Sequence, residues 1–252
     1  MIIEYNRPQT IAEALKLLER TEPVSVPLAG GTAINRTGEQ PVAVVDLQAL
    51  GLDKITPRGS SLEIGAMVTL QALLEASIPE SLQRVIRQET THNLRQAGTI
   101  GGLLVAAGGR SPLLTALLAL DTVLTILPES RQVSLGDFLP ARSERLHGRL
   151  ISQVSIPLAP RLVFESVART PADLPIVCVA AARWPSGRTR LSLGGFGKTP
   201  SLAMDGSETA GAVYAAHNAY SEAADEWATA EYRAEIAGIL AGRCTKILED
   251  SR

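Results

Sequence analysis

Val24-Ser25-Val26-Pro27-Leu28-Ala29-Gly30-Gly31-Thr32 carries an apolar run straight into a pair of glycines. A strand that stops at Gly-Gly leads into a turn needing positive φ or close backbone approach. Upstream, Ile2-Ile3-Glu4-Tyr5 is a short strand signal. Thr10, with Glu13 three residues on, forms a capping box for a helix whose Ile11, Ala14, Leu15 and Leu18 share one face. Downstream, Val42-Ala43-Val44-Val45-Asp46-Leu47 is apolar without alternation, the pattern of a parallel strand buried on both faces. Residues 1–55 are therefore predicted to form a small parallel layer of strands with a helix.

Further along, Ser61-Leu62-Glu63-Ile64-Gly65-Ala66 alternates like a half-exposed strand. Thr69 caps a helix through Leu74, and another helix is predicted from about Leu82 to Asn93. A second glycine turn follows, Gly98-Thr99-Ile100-Gly101-Gly102. Leu113 to Leu120 reads as helix; Thr122 to Leu127, Val133 to Leu135 and Gln153 to Ile156 read as strands. Pro157 and Pro160 mark a boundary. Beyond them Leu162–Val167, Ile176–Arg183 and Thr189–Leu193 predict three strands closed by Gly194-Gly195, then Ala-rich helices from about Ser207. The predicted class is α+β, divided at 1–55, 56–158 and 159–252.

The composition excludes several function classes. The chain has 252 residues, 45% apolar and 20% charged, the proportions of an ordinary globular protein. Its 24 basic and 26 acidic residues lack the basic excess of a dedicated nucleic-acid binder. Two cysteines, Cys178 and Cys244, cannot supply the four thiolates of an iron–sulfur cluster, and a reducing, cytoplasmic setting is expected. Met1 to Pro8 does not have the form of a signal peptide. The most apolar stretch, Leu113 to Leu127, is interrupted by Asp121 and is shorter than the ~20 residues of a membrane span. His92, His147 and His217 lack metal-ligand spacing and read as surface residues, so no metal site is expected. Nor is a Ser-His-Asp or Cys-His set readable, so no catalytic residue is assigned.

Chemistry is expected at the two glycine turns, where successive N–H groups can form a concave site for a phosphate or pyrophosphate. Neither is a Walker A loop or a G-x-G-x-x-G fingerprint. Their setting resembles the FAD-binding, medium subunit of the molybdenum hydroxylases, the family of xanthine dehydrogenase and aerobic carbon monoxide dehydrogenase. The likeness runs along nearly the whole chain. It includes Tyr5-Asn6-Arg7-Pro8, Leu28-Ala29-Gly30-Gly31-Thr32, Val45-Asp46-Leu47, Leu62 to Thr69, Asn93 to Gly102, Leu117 to Asp121, Phe164 to Arg169 and Thr229 to Arg233. The resemblance implies two α+β subdomains clasping FAD, and a C-terminal domain of a three-stranded sheet and a helix bundle. It also implies partners: a molybdenum-cofactor subunit and a 2Fe–2S subunit, whose electrons FAD would pass to an external acceptor. Carried over position by position, the cofactor-binding residues would be Leu28, Ala29, Gly30, Gly31, Thr32, Ala33 and Ile34, with Thr99, Ile100, Gly101, Gly102 and Ser111.

Some positions depart from that pattern. Ala33 stands where the family has Asp, and the loop after it is short. Leu103 replaces Asn, and Pro112 replaces an Asp that accepts from cofactor hydroxyls. Gly108-Gly109 replaces a polar residue and proline, and a basic residue near the flavin falls at about Glu165. Two or three lost hydrogen bonds at ~1 kcal/mol each predict one to two decades of lost affinity. Weak or absent FAD binding is therefore expected, and the alternative function is a structural or assembly partner that keeps the fold. Arg95 and Arg110 are candidates to face a phosphate, with exposed loop arginines as the plainer reading. Trp227 and Tyr232 read as packing residues.

Overall fold

A computed structural model describes residues 1–34 and 41–250; the expected short loop after Ala33 falls outside the described residues. The first elements are β1 (Ile2–Asn6), α1 (Ile11–Leu18), β2 (Ser25–Leu28), β3 (Val42–Asp46), β4 (Ile55–Arg58) and β5 (Ser61–Gly65). Five helices follow: α2 (Leu70–Glu75), α3 (Glu80–Glu89), α4 (His92–Ala97), α5 (Ile100–Ala106) and α6 (Pro112–Ala119). Then come β6 (Val123–Leu127), β7 (Arg131–Ser134), α7 (Leu135–Phe138), α8 (Arg142–Arg145) and β8 (Leu150–Pro157). The chain ends with β9 (Arg161–Val167), β10 (Val177–Arg183), β11 (Thr189–Gly194), β12 (Ser201–Gly206), α9 (Ala212–Ala219) and α10 (Ala230–Asp250).

The chain forms two compact units and passes between them repeatedly. One takes residues 1–76, 91–106 and 123–155; the other takes 77–90, 107–122 and 156–252.

In the first unit, β3 is the centre of a parallel sheet ordered β1-β3-β2. Its Ala43, Val44 and Val45 are fully buried, which is why this strand lacks alternation. Helix α1 buries Ala14 and Leu18 against Val45 and Leu47, and its capping box is formed as predicted. A second sheet, β4-β5-β8-β6-β7, keeps the expected alternation, burying Leu62 and Ile64 on β5 and Leu124 and Ile126 on β6.

The second unit is built on an antiparallel sheet, β12-β11-β10-β9. One face carries α9 and α10, with Val177, Val179, Ala181, Leu191 and Leu193 packed against Ala216, Ala237, Leu240 and Ala241. The other face meets α6, where Ser192 Oγ donates to Thr115 O at 2.6 Å and Cys178 Sγ lies 3.7 Å from Thr115 Oγ1. Every residue of α6 is buried, so this helix is apolar all round and has no amphipathic stripe.

Three expectations change. The C-terminal sheet has a fourth strand, β12, paired with β11. The helix predicted from about Leu82 to Asn93 is two helices, α3 and α4, broken at Thr90, whose backbone is extended. Gly101 and Gly102 stand in the first turn of α5, not in a turn, because the Thr99 hydroxyl accepts from Gly102 N at 3.1 Å and starts the helix. Both cysteines are free and buried. No helix among the described residues is long and apolar enough to cross a membrane.

Candidate functional site

The first glycine turn leaves the end of β2, where Leu28 O accepts from Leu47 N at 3.0 Å and fixes the strand against β3. The two glycines then do different jobs. A Cβ on Gly30 would lie 1.7 Å from Ala97 O, so the turn is pressed backbone to backbone on the end of α4. Gly31 has φ +70, the left-handed region that a side chain disfavours. Within one unit, then, the residue before the second motif touches the first. Gly98 is also close to Thr32, whose Oγ1 would lie 3.9 Å from a Cβ there.

The N–H groups of the two motifs are used differently. Gly30, Gly31, Thr32 and Ala33 have no hydrogen-bond acceptor for their backbone N–H among the described residues. Such a run of donors suits a phosphate oxygen. In the second motif the donors are already used: Ile100 N to Val68 O at 2.9 Å, Gly101 N to Ala66 O at 2.9 Å, and Gly102 N to Thr99 Oγ1. Ile100 is fully buried, Thr99 and Gly101 are also buried, and a Cβ on Gly101 would meet Ala66 O at 2.8 Å. These residues form the support on which the first turn rests. Leu28, Ala29 and Ile34 are half-buried along that turn.

Asp46 is a residue whose place near the turn the sequence reading did not single out. It ends β3, opposite Leu28 in register, and is buried. Its carboxylate accepts from Tyr5 Oη and from Gln48 N at 2.9 Å, with Arg7 Nε at 3.8 Å. The hydrogen bond to Asp46 raises the Tyr5 pKa. The signal was present as Val45-Asp46-Leu47: an acid inside an apolar run needs donors to satisfy it.

Ser111 belongs to the second unit. It caps α6, accepting from Leu114 N at 3.0 Å and donating to Glu89 Oε2 at 2.7 Å. Glu89 Oε2 also accepts from Leu113 N at 2.9 Å. Burial pushes the Glu89 carboxyl up to about 7, against the pull of those two bonds. Pro112 is the buried first residue of the helix, where a missing N–H costs nothing. Gly109 is stitched to the 195–197 turn by Gly109 N to Gly197 O at 3.1 Å and Gly195 N to Gly109 O at 2.8 Å.

Arg110 does not present a free guanidinium to a phosphate. It donates to Pro175 O at 3.0 Å and Leu174 O at 2.6 Å, and lies 4.1 Å from the centre of the Trp227 ring. Burial lowers its pKa. Arg95 Nε donates to Gln71 Oε1 at 3.3 Å. Arg233 is fully buried, donating to Gly195 O at 3.0 Å and pairing with Asp225 at 2.6 Å. Among the described residues no group of three His, Cys, Asp or Glu could hold a metal ion.

Residues 1–159 match the family model described as FAD binding domain in molybdopterin dehydrogenase. The Escherichia coli K12 protein YgfM is 32% identical over 199 residues, covering 77% of this chain and 75% of that protein. The carbon monoxide dehydrogenase medium chain of Afipia carboxidovorans is 27% identical over 274 residues, covering 96% of this chain and 95% of that one. Among solved structures, quinoline 2-oxidoreductase from Pseudomonas putida 86 superposes with a TM-score of 0.81 at 23% identity, over 98% of this chain and 96% of that one.

Proposed function

The chain belongs to the family of FAD binding domains in molybdopterin dehydrogenases, and from that premise we propose that it is the flavin-carrying electron-transfer subunit of a molybdenum-hydroxylase-type oxidoreductase. In this reading electrons arrive from a 2Fe–2S partner fed by a molybdenum-cofactor partner, and leave to an external acceptor. A medium chain of carbon monoxide dehydrogenase similar over 96% of the present chain supports that division of labour. The setting proposed is the cytoplasm, where two buried free thiols stay reduced. The three-part division at 1–55, 56–158 and 159–252 is kept as part of the reading, supported by the three separate sheets.

The observation that carries the cofactor assignment is the run of N–H donors from Gly30 to Ala33, without acceptors among the described residues and set on the Ala97–Gly98 backbone. This donor set fits a pyrophosphate. Leu28 to Ile34 would hold it, and Thr99, Ile100, Gly101 and Gly102 would shape the floor. Ser111 stays in the proposed set as the anchor of α6, its hydroxyl committed to Glu89 and Leu114. Bound FAD supplies a relay between one-electron and two-electron partners. The chain's own task is to grip and orient it: Gly30 by closeness to Ala97, Gly31 by its left-handed backbone, and Leu47 by holding the end of β2.

The alternative of a cofactor-free structural partner is not favoured by the family match. The test is the visible flavin absorbance of the chain purified after incubation with FAD. A flavin band that survives gel filtration supports the assignment. A colourless chain that also fails to quench FAD fluorescence overturns it.

A further inference from the structure

The second unit holds a cavity of about 300 Å³, bordered by Gln88, Ser166, Arg169 and Thr170, with prolines filling much of the remaining wall. This lies at the small end of ligand pockets. Arg169 is exposed and has no hydrogen-bond or ion-pair partner among the described residues; its guanidinium lies 4.7 Å from the centre of the Trp227 ring. Stacking on an aromatic face restrains a guanidinium without using its N–H donors. The ring is itself fixed. Arg110 stacks on it and is tied to two carbonyls, and Asp225 accepts from Trp227 N at 2.8 Å while holding the buried Arg233. The local charge balance is positive: Arg110, Arg169 and Arg233 stand against Asp173 and Asp225. Asp225 is paired with Arg233, and no ion pair to Arg169 is formed among the described residues, so Asp173 on the cavity wall stands against both Arg110 and Arg169 and the cavity keeps a net positive charge.

We propose that this cavity binds a small oxyanion, the phosphate or carboxylate group of a metabolite, with Arg169 as its charged receptor and Gln88, Ser166 and Thr170 as neutral donors. The site goes beyond the flavin reading and does not depend on it. A planar, restrained guanidinium with its donors unused is suited to two-point contact with such a group.

The test uses the full chain carrying Trp184→Phe, so that Trp227 is the reporter. Its fluorescence is titrated with inorganic phosphate, with malonate, and with chloride at matched ionic strength. Saturable change with phosphate or malonate is expected, and which of the two saturates first identifies the source class. Arg169→Gln should weaken binding about tenfold or more, Arg169→Lys should recover part of it, and replacement of an exposed cation away from the cavity, Lys54→Gln, should leave it unchanged. A non-saturating response, the same response to chloride, or an unaltered titration in Arg169→Gln overturns the proposal.

Discussion

Replacing Glu89 by Gln should make the protein more stable above neutral pH and leave it nearly unchanged in acid. Glu89 Oε2 accepts from Ser111 Oγ and Leu113 N, and both bonds favour the charged carboxylate. Burial opposes them and wins, raising the group from 4.5 to about 7. A carboxyl with a raised folded-state pKa binds its proton more tightly in the native state than in the unfolded chain. Its contribution is therefore fully present below 4.5 and is lost as pH rises through about 7. At about 1.4 kcal/mol for each pH unit, the loss is at most about 3 kcal/mol, and less to the extent that this half-buried residue keeps contact with water. Gln is neutral throughout, and its side-chain oxygen can accept the same two hydrogen bonds. Urea unfolding at pH 5 and pH 8, on parent and Glu89→Gln, measures the effect. The parent should lose up to about 3 kcal/mol relative to the variant across that interval. Glu89→Ala, which leaves Leu113 N without its acceptor, should be destabilised by about 1–3 kcal/mol at pH 5, and removal of the buried charge should offset most of that deficit at pH 8. Equal stability differences between parent and Glu89→Gln at pH 5 and pH 8 would refute the reasoning.

Other perturbations bear on the first glycine turn and the second unit. Gly30→Ala puts a Cβ 1.7 Å from Ala97 O, so the turn must move, and flavin retention after gel filtration should fall while far-ultraviolet circular dichroism stays the same. Leu103→Asn restores polarity on a half-buried helical residue and should tighten FAD binding by up to about tenfold in a fluorescence-quenching titration. Pro112→Asp should give no such gain, because Glu89 already holds the start of α6 and a second buried carboxylate there is repelled. Arg233→Met removes the cation paired with Asp225 and the donor to Gly195 O, leaves Asp225 only its backbone donors, and should cost about 3 kcal/mol in chemical unfolding.

Local patterns carried much of this fold. Thr10 and Glu13 announce α1, and the unbroken Val42–Leu47 run announces a doubly buried parallel strand; both signals lie within a few residues of what they specify. The glycine pairs were legible as places of close approach, and Gly30 against Ala97 bears that out. That Gly101 and Gly102 would be helical was not legible, since two glycines argue against helix and only the Thr99 cap, with Ile100 N and Gly101 N bonded to Val68 O and Ala66 O, overrides them. Arg110 illustrates the remaining limit. Its partners, the carbonyls of Leu174 and Pro175, lie more than sixty positions away, and no spacing rule reaches that far. Strand β12 was missed because its short run, with no fully buried residue, follows Lys198-Thr199-Pro200, which reads as loop.

The threading of the chain limits how genes of this kind can be shuffled. Residues 77–90 and 107–122 fall inside the family-matched stretch 1–159, yet they build the second unit, where α6 is buried against β10 and β11. A recombination joint placed after residue 159 would inherit an eight-residue helix apolar on every side and none of the sheet that covers it. Such a product would expose a sticky surface at birth. The flavin module recognisable in the sequence is therefore not a cassette in the polypeptide, and the last ninety-odd residues must be inherited with it.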